Sequence, residues 1–385
     1  MPVKSEIEAR FEELKSIRQY LHSCPEVGLE TVNTAAFVKK QLDGLGIGYE
    51  DIGVNSLLAK VEGTAPGVTV AFRADMDGLE TCEETGLPYA SQTCGRMHAC
   101  GHDGHTATLL AFAGYLAQHR DFKGTVLLLF QSGEEGYGGA LEVIKDGLFE
   151  KYSIDYMFGM HNWPPYGENQ MIVHKGTAMA SEDRFDLVIR GKSGHASVPH
   201  ACNEPFAAVA DFIKNAQSIV ARRISAHDKG VISITQVHGG SAYNIIPDEV
   251  TIRGNVRTTD PRVQDLIEES LAQLAQGLEV TYGVKAAFTY HRKHPPVINS
   301  TPDMAIAAAA RVVGQENVLT EELPAMGSED YAFYMQKTKG CFVWIGNGTD
   351  SALIHNSKYD FNDKIILLGA SLFAELLDEV LSAQP

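Results

Sequence analysis

The feature that most constrains the fold is a set of short, continuous apolar runs that lead into polar residues. The runs are residues 68–72 (VTVAF), 125–130 (TVLLLF) and 156–160 (YMFGM). Such runs are typical of strands that are buried on both faces of a sheet covered by helices. The segments that follow them are 73–77 (RADMD), 131–136 (QSGEEG) and His161. Because sites in α/β sheets gather at the carboxyl ends of strands, we expect a functional site there.

The hydrophobic pattern changes near residue 180. Residues 184–190 and 250–257 partly alternate, which is typical of sheets with one solvent-facing side. The predicted elements are a strand starting near 183, helix 204–222, strands 231–238 and 249–258, helix 261–278 and strand 284–291. This β-α-β-β-α-β order is typical of a ferredoxin-like unit.

The earlier pattern returns from about residue 293. Helices are predicted over 103–118 and 140–147 before the change, and helix 302–313, strand 341–346 and helix 363–382 after it. The predicted fold class is therefore α/β: a mixed-sheet domain interrupted by an inserted α+β ferredoxin-like domain. The predicted boundaries are 1–180 and 294–385 for the first domain and 181–293 for the insert.

The composition of the chain argues against several classes of partner and location. The net charge of −17 argues against nucleic acid or an anionic membrane as a partner. No stretch approaches the ~18 apolar residues of a membrane span. Residues 1–22 are predicted to form one amphipathic helix, with Ile7, Phe11, Leu14, Ile17 and Leu21 on its apolar stripe. The absence of a signal-like apolar region and the six scattered cysteines favour the cytoplasm.

Metal-binding side chains are concentrated in residues 97–105, MHACGHDGH. Cys100 and His102 share a Cys-Gly-His turn, and thiolate and imidazole both suit zinc and similar ions. Glu134 and Glu135 are adjacent, so that one can bind a metal while the other accepts a proton from water. Asp75 and Asp77 face one side of a strand end, where a carboxylate can orient a metal-bound histidine.

Further candidates lie far apart in the chain. His161 ends a buried strand, and His355 lies in Ile354-His355-Asn356. Each becomes a credible ligand only beside the other ligands. In the predicted insert, Arg257 could clamp a carboxylate with two parallel hydrogen bonds. Asn244 could add a donor, and His195 could donate to a developing oxyanion.

Together these motifs resemble the M20 metallopeptidase and amidohydrolase family, especially its aminoacylase-like branch of hippurate hydrolases, N-acetyl-amino-acid deacetylases and indole-acetyl-amino-acid hydrolases. They follow the family's order across nearly the whole chain. The matching strings are His22-x-x-Pro25-Glu26, 73–78, 97–105, 133–136, 161–164, 191–196 with Pro199-His200, 244–247, Arg257, 327–330 and His355.

The resemblance implies a role for each candidate. Cys100 would bridge two divalent metal ions per subunit, one completed by His102 and His161 and the other by Glu135 and His355. Glu134 would be the general base and later the acid, with Asp77 behind the ligands. The metals would be Zn²⁺ or Mn²⁺, with Co²⁺ or Ni²⁺ as alternatives.

The inserted domain would then be a lid that also pairs two subunits. The resemblance implies a homodimer, or a tetramer built from dimers, in which His195 would serve the active site of the partner subunit. Asn244 and Arg257 would hold the substrate carboxylate.

The expected activity is cleavage of N-acyl-L-amino acids to a carboxylic acid and a free amino acid. A dipeptidase or carboxypeptidase of the same family is the alternative, because both hydrolyse an amide next to a carboxylate. A metal-free hydrolase with Cys100 as nucleophile and a binding protein without turnover are two further hypotheses. The surplus of ligand-type residues argues against both.

Overall fold

The computed structural model describes residues 4–383 and has two compact units. The first unit comprises residues up to 178, 298–323 and those from 330 onward. The second comprises residues 179–297 and 324–329. The fold is mixed α/β, as predicted.

The strands are, in chain order, β1 Gly48–Ile52, β2 Ser56–Glu62, β3 Ala65–Asp75, β4 Lys123–Gln131, β5 Tyr156–Trp163, β6 Met171–Ile172, β7 Thr177–Met179, β8 Glu182–Arg190, β9 Gly194–His195, β10 Gly230–Gly239, β11 Ile245–Ile246, β12 Glu249–Thr258, β13 Lys285–His294, β14 Val297–Ile298, β15 Val318–Leu319 and β16 Lys339–Gly346.

The α-helices are α1 Ser5–Glu8, α2 Phe11–Ser23, α3 Val32–Leu45, α4 His102–Gln118, α5 Gly139–Lys145, α6 Leu148–Lys151, α7 Pro205–Arg222, α8 Pro261–Tyr282, α9 Pro302–Val313, α10 Ala332–Met335 and α11 Lys364–Ser382. Short 3₁₀ helices cover Pro199–Ala201 and Gln315–Asn317.

An eight-stranded mixed sheet organises the first unit, in the order β1-β2-β4-β3-β5-β16-β6-β15. Strand β3 pairs in parallel with both β4 and β5, and β5 pairs in parallel with β16. The apolar runs predicted to be strands lie in β3, β4 and β5, and buried side chains such as Phe72, Leu128 and Phe158 pack in this unit's core. The carboxyl ends of β3, β4 and β5 therefore meet at one edge of the sheet.

A four-stranded antiparallel sheet organises the second unit, in the order β10-β12-β8-β13. Helices α7 and α8 cover one face, where Phe212 and Ile267 pack against Phe185 and Ile252. The chain order β8-α7-β10-β12-α8-β13 is the predicted ferredoxin-like order. The solvent-facing side explains the alternating pattern of these strands.

The prediction of one N-terminal helix was wrong. Its first three residues lie outside the described part of the chain, and the remainder forms α1 and α2 with a break at Ala9 and Arg10. The amide of Arg10 donates to Ile7 rather than to the residue four back. At the break, the Arg10 guanidinium packs over Gly114 of α4, a tertiary contact to which the helical pattern of residues 1–22 gives no clue.

Within residues 4–383, none of the helices combines the length and apolar character that crossing a membrane requires.

Candidate metal-binding active site

The candidate site lies at the shared edge of the large sheet. Strand β3 ends at Asp75, two residues before Asp77. Strand β4 ends at Gln131, three residues before Glu134. His161 lies near the end of β5, and α4 begins at His102. The carboxyl ends of three neighbouring parallel strands thus deliver the polar residues that the sequence placed after its apolar runs.

Cys100, His102 and His161 form one buried group whose ligand atoms all lie within 4.8 Å of one another. Cys100 Sγ lies 3.4 Å from His161 Nε2. The turn requires Gly101, which has a φ of 95° and whose absent Cβ would lie 2.3 Å from Asn162 Oδ1. His161 Nδ1 lies 2.6 Å from the carbonyl oxygen of its neighbour, so Nδ1 donates and Nε2 keeps its lone pair for a ligand.

Cys100, Glu135 and His355 form a second group under the same distance limit. His355 Nε2 lies 3.4 Å from Glu135 Oε1. The backbone of His355 has a φ of 64° and its amide donates to the carbonyl of Ala99 at 2.7 Å, which holds this loop beside Cys100. Cys100 therefore belongs to both groups, as a bridging ligand would.

Glu134, Glu135 and His102 form a third overlapping group. Asp77 organises it, because Oδ1 accepts the amide of Glu134 at 3.0 Å and Oδ2 accepts the amide of Glu135 at 3.2 Å. Asp77 Oδ1 also lies 3.5 Å from His102 Nδ1. Asp77 thus fixes the Glu-Glu turn by two hydrogen bonds and lies beside the imidazole of His102.

The electrostatics of the cluster fit a bound cation. Burial, together with the charges of Glu135 and Glu134, raises the pKa of the Cys100 thiol well above its usual value. Burial alone would lower the pKa of His102, but Asp75, Asp77 and Glu135 raise it to about 10. Nearby positive charge would favour the thiolate and neutral imidazole that metal binding requires.

Unpartnered buried atoms give the same indication. Among residues 4–383, neither ring nitrogen of His102 nor Oε1 of Glu135 has a partner with hydrogen-bond geometry, although all three atoms are buried. Buried polar atoms without partners are costly, and a divalent cation accepts just such imidazole and carboxylate ligands. The residues present therefore fit a metal site.

Sequence reasoning named Asp75 as a supporting carboxylate, but it assigned no role to its partners His105 and Arg73. Asp75 Oδ1 lies 2.6 Å from His105 Nδ1, and His105 Nε2 lies 2.6 Å from Asn162 Oδ1. Arg73 Nη1 donates to the other oxygen of Asp75 at 2.7 Å. The spacing of His102 and His105 places both on one face of α4, which is the signal that could have identified His105.

Of the three candidate residues in the second unit, His195 and Asn244 lie close together. His195 forms part of β9, which pairs with β11, and the amide of Ala196 donates to the carbonyl of Asn244 at 3.0 Å. The amide of Ser197 donates to His195 Nδ1 at 3.2 Å, so a neutral ring carries its proton on Nε2 and can donate there.

Arg257 lies instead on β12 of the four-stranded sheet. Its Nε donates to Asn255 Oδ1 at 3.0 Å, and its Nη2 lies 3.5 Å from Glu182 Oε2. Two edges of the guanidinium are thus occupied within the unit.

Comparison with known proteins identifies the family. Residues 71–379 match peptidase family M20/M25/M40. The hippurate hydrolase of Campylobacter jejuni is 37% identical over 94% of this chain and 95% of its own length. The chain belongs to the M20 family.

Two further M20-type proteins support this assignment. The N-acetylcysteine deacetylase of Bacillus subtilis is 37% identical over 94% of this chain and 95% of its own length. The crystal structure of YXEP from B. subtilis, described as a dinuclear metal-binding peptidase, superposes with a TM-score of 0.87 at 33% identity and covers 98% of this chain and 100% of that one. As an M20 protein with this ligand cluster, the chain is a metal-dependent amidohydrolase.

Proposed function

We propose that this enzyme hydrolyses N-acyl-L-amino acids of the hippurate, N-acetyl or indole-acetyl type to a carboxylic acid and a free amino acid. The observation that carries the proposal is the pair of ligand groups sharing Cys100, with Glu134 beside them on a turn fixed by Asp77. The related hippurate hydrolase and N-acetylcysteine deacetylase support an N-acyl amino acid as the substrate class.

The chain's own side chains would hold two divalent ions. Cys100, His102 and His161 would hold one, and Cys100, Glu135 and His355 the other. Such ions polarise a carbonyl and lower the pKa of water. The mixed sulfur, nitrogen and oxygen ligands suit Zn²⁺ or Mn²⁺, with Co²⁺ or Ni²⁺ as alternatives.

Glu134 would move the proton. It takes a proton from the attacking water while the oxygen adds to the amide carbonyl carbon. It then returns that proton to the amide nitrogen as the C–N bond breaks. Its carboxyl is largely buried, and the Asp77 contact to its amide restrains its position.

The second unit would bind and orient the substrate. His195 would donate from Nε2 to the oxyanion, and Asn244 and Arg257 would hold the substrate carboxylate. We also propose a homodimer formed through this unit, or a tetramer of such dimers, with His195 acting in the partner's site. The sheet edge at β10, with half-exposed Val231 and Val237, supports such an interface.

A peptidase is the second candidate, favoured by the description of YXEP as a peptidase. Dipeptides share the amide and carboxylate that these residues would recognise. We propose the cytoplasm as the location, because a reducing compartment keeps Cys100 available as a ligand.

The test is amino-acid release from a panel of N-acyl-L-amino acids and dipeptides by metal-loaded and chelator-stripped enzyme. The proposal predicts release from N-acyl substrates that vanishes on stripping and returns with Mn²⁺ or Zn²⁺. Equal release with and without metal would contradict it and favour Cys100 as nucleophile. Release from dipeptides alone would favour the peptidase.

A further inference from the structure

Glu182 lies in a cluster of charged residues at one end of the four-stranded sheet. It begins β8 and pairs directly with His294 on β13. On its other side, Asp183 pairs with Val256 of β12, which places Arg257 next to Glu182. The side chains of Glu182 and Arg257 are 12% and 24% exposed, so this ion pair is largely shielded from water.

The Glu182 carboxylate is held from several directions. Oε1 accepts from Arg184 Nε at 3.0 Å and from Nη2 at 2.8 Å. Oε2 accepts from Ser328 Oγ at 3.3 Å and lies 3.5 Å from Arg257 Nη2 and 3.6 Å from His294 Nδ1. The nearby His294 ring, opposed by burial and reinforced by Arg184 and Arg257, lowers the pKa of Glu182 to about 2.

These contacts occupy two of the three guanidinium nitrogens of Arg257 and leave the third without a partner among the described residues. Nε donates to Asn255, and Nη2 faces Glu182. Nη1 is buried and has no hydrogen-bond partner among residues 4–383. A buried guanidinium N–H without a partner is costly, so Nη1 is the nitrogen that a ligand carboxylate would satisfy.

We propose that Glu182 is a positioning residue for Arg257, fixing the guanidinium so that Nη1 is presented to the substrate carboxylate. This inference rests on the proposed function, in which Arg257 binds that carboxylate. The sequence motifs assign no role to Glu182.

The negative charge of Glu182 could instead weaken carboxylate binding. Two contacts oppose that outcome, because Arg184 pairs with Oε1 and Ser328 donates to Oε2, so the charge is already compensated. Arginine is flexible, and losing one of two anchors lets its planar group leave the binding geometry. We therefore expect positioning to outweigh repulsion.

The test compares Glu182→Gln with Glu249→Gln in the same unit. Glu249 forms a 2.8 Å ion pair with Arg190 in which both side chains are about half exposed, so it is a matched control for loss of charge. With an N-acyl amino acid, Glu182→Gln should raise KM about tenfold, the scale of one hydrogen bond to a charged group. With the corresponding amino-acid carboxamide, KM should not change, and Glu249→Gln should alter neither.

A double-mutant cycle shows whether Glu182 acts through Arg257. In an Arg257→Ala background, Glu182→Gln should have no further effect on KM. If Glu182→Gln does not fold, Glu182→Asp keeps the charge but shortens its reach, and should give the same selective rise in KM.

Three results would overturn the inference: a KM within twofold of wild type or below it, an equal loss with the carboxamide, or an effect that persists without Arg257. If wild-type enzyme releases amino acid from N-acyl substrates but one of these three results is observed, the proposed function stands and the role of Glu182 is refuted. If wild-type enzyme hydrolyses no N-acyl amino acid, the proposed function and this inference fail together.

Discussion

The two units differ in how their functional candidates are arranged. In the first unit, Cys100, His102 and His161 are buried and lie within one short distance limit. In the second, His195 on β9 and Asn244 in the turn before β11 are exposed, and Arg257 lies on a separate sheet. The first arrangement is preorganised for a compact ligand, whereas the second offers separate donors for an extended one. Function in the first unit should therefore depend on fixed geometry, and in the second on individual contacts.

The largest expected effect is the loss of Glu134. Glu134→Ala should lower kcat by about 10²- to 10⁴-fold, because in the proposed mechanism Glu134 takes the proton from water. Bound metal should not change, since Glu134 is not among the proposed ligands. Steady-state kinetics and elemental analysis of the same preparation test this. Turnover above about a tenth of wild type, a loss of only ~1.4 kcal/mol, would refute the general-base role.

The second-largest effect is expected when a buried ionic network in the first unit is broken. Asp103 Oδ2 lies 2.8 Å from His22 Nδ1 and 3.6 Å from Arg18 Nη1, and all three side chains are fully buried. Asp103→Ala should lower the free energy of unfolding by about 3–5 kcal/mol, because buried His22 loses its nearest counter-charge and keeps Glu83 at 3.3 Å, while Arg18 keeps Asp360 and Asp363. Denaturant unfolding measures this, and a loss below about 1 kcal/mol, the range of exposed pairs, would contradict it.

The third-largest effect is expected at His195, the proposed oxyanion donor of the second unit. His195→Ala should lower kcat by about 10²- to 10³-fold, the usual effect of removing one such donor. Its exposure predicts little loss of stability, in contrast with Asp103. An unchanged kcat in a folded variant would remove His195 from the mechanism.

The partner-subunit role of His195 needs a separate experiment. His195→Ala and Glu134→Ala variants, each in the proposed homodimeric form, are mixed under conditions that exchange subunits. Action across the interface predicts that hybrids regain one working site each. No recovery despite confirmed exchange would place His195 in its own chain's site.

Stability should also depend on pH through His22. Burial alone would lower the pKa of His22, but Asp103 and Glu83 outweigh it and raise the pKa to about 9. A raised folded-state pKa stabilises fully below the unfolded value of about 6.5, and this contribution is lost as pH rises through about 9. Unfolding free energies of wild type and His22→Gln across this interval test it. Parallel pH profiles would show that His22 is not the titrating group.

The smallest effect is expected at the exposed pairs of the second unit. Glu249→Gln removes the charge facing Arg190, and should change the free energy of unfolding by less than about 1 kcal/mol. Thermal or denaturant unfolding of Glu249→Gln and Asp103→Ala under the same conditions compares the two losses of unfolding free energy directly. Equal losses in both variants would show that burial does not separate the two units in this way.

Local pattern predicted much of this molecule. The helix predicted over 204–222 is Pro205–Arg222, and the strand predicted over 249–258 is Glu249–Thr258. Both are long enough for hydrophobic periodicity to define them. The ligand-rich motif is local too, since Cys100 and His102 share one turn.

Contacts between residues that are far apart in the sequence could not be predicted. His22 and Asp103 are 81 residues apart, and Arg18 and Asp363 are 345 apart, so no local period reports their contacts. The contact between Arg10 and Gly114 of another helix is equally invisible to local pattern. The support of Asp75 by His105 likewise becomes visible only when β3 and α4 are packed together.

The most direct test of the central claim is metal content measured together with hydrolysis during stepwise reconstitution of stripped enzyme. Two ions sharing Cys100 predict about two equivalents of Zn²⁺ or Mn²⁺ per chain in wild type, with amino-acid release following their binding. Cys100→Ala should lose tight binding of both ions, because each ligand group contains its sulfur. Full turnover by metal-free enzyme, or two tightly bound ions in Cys100→Ala, would contradict the account.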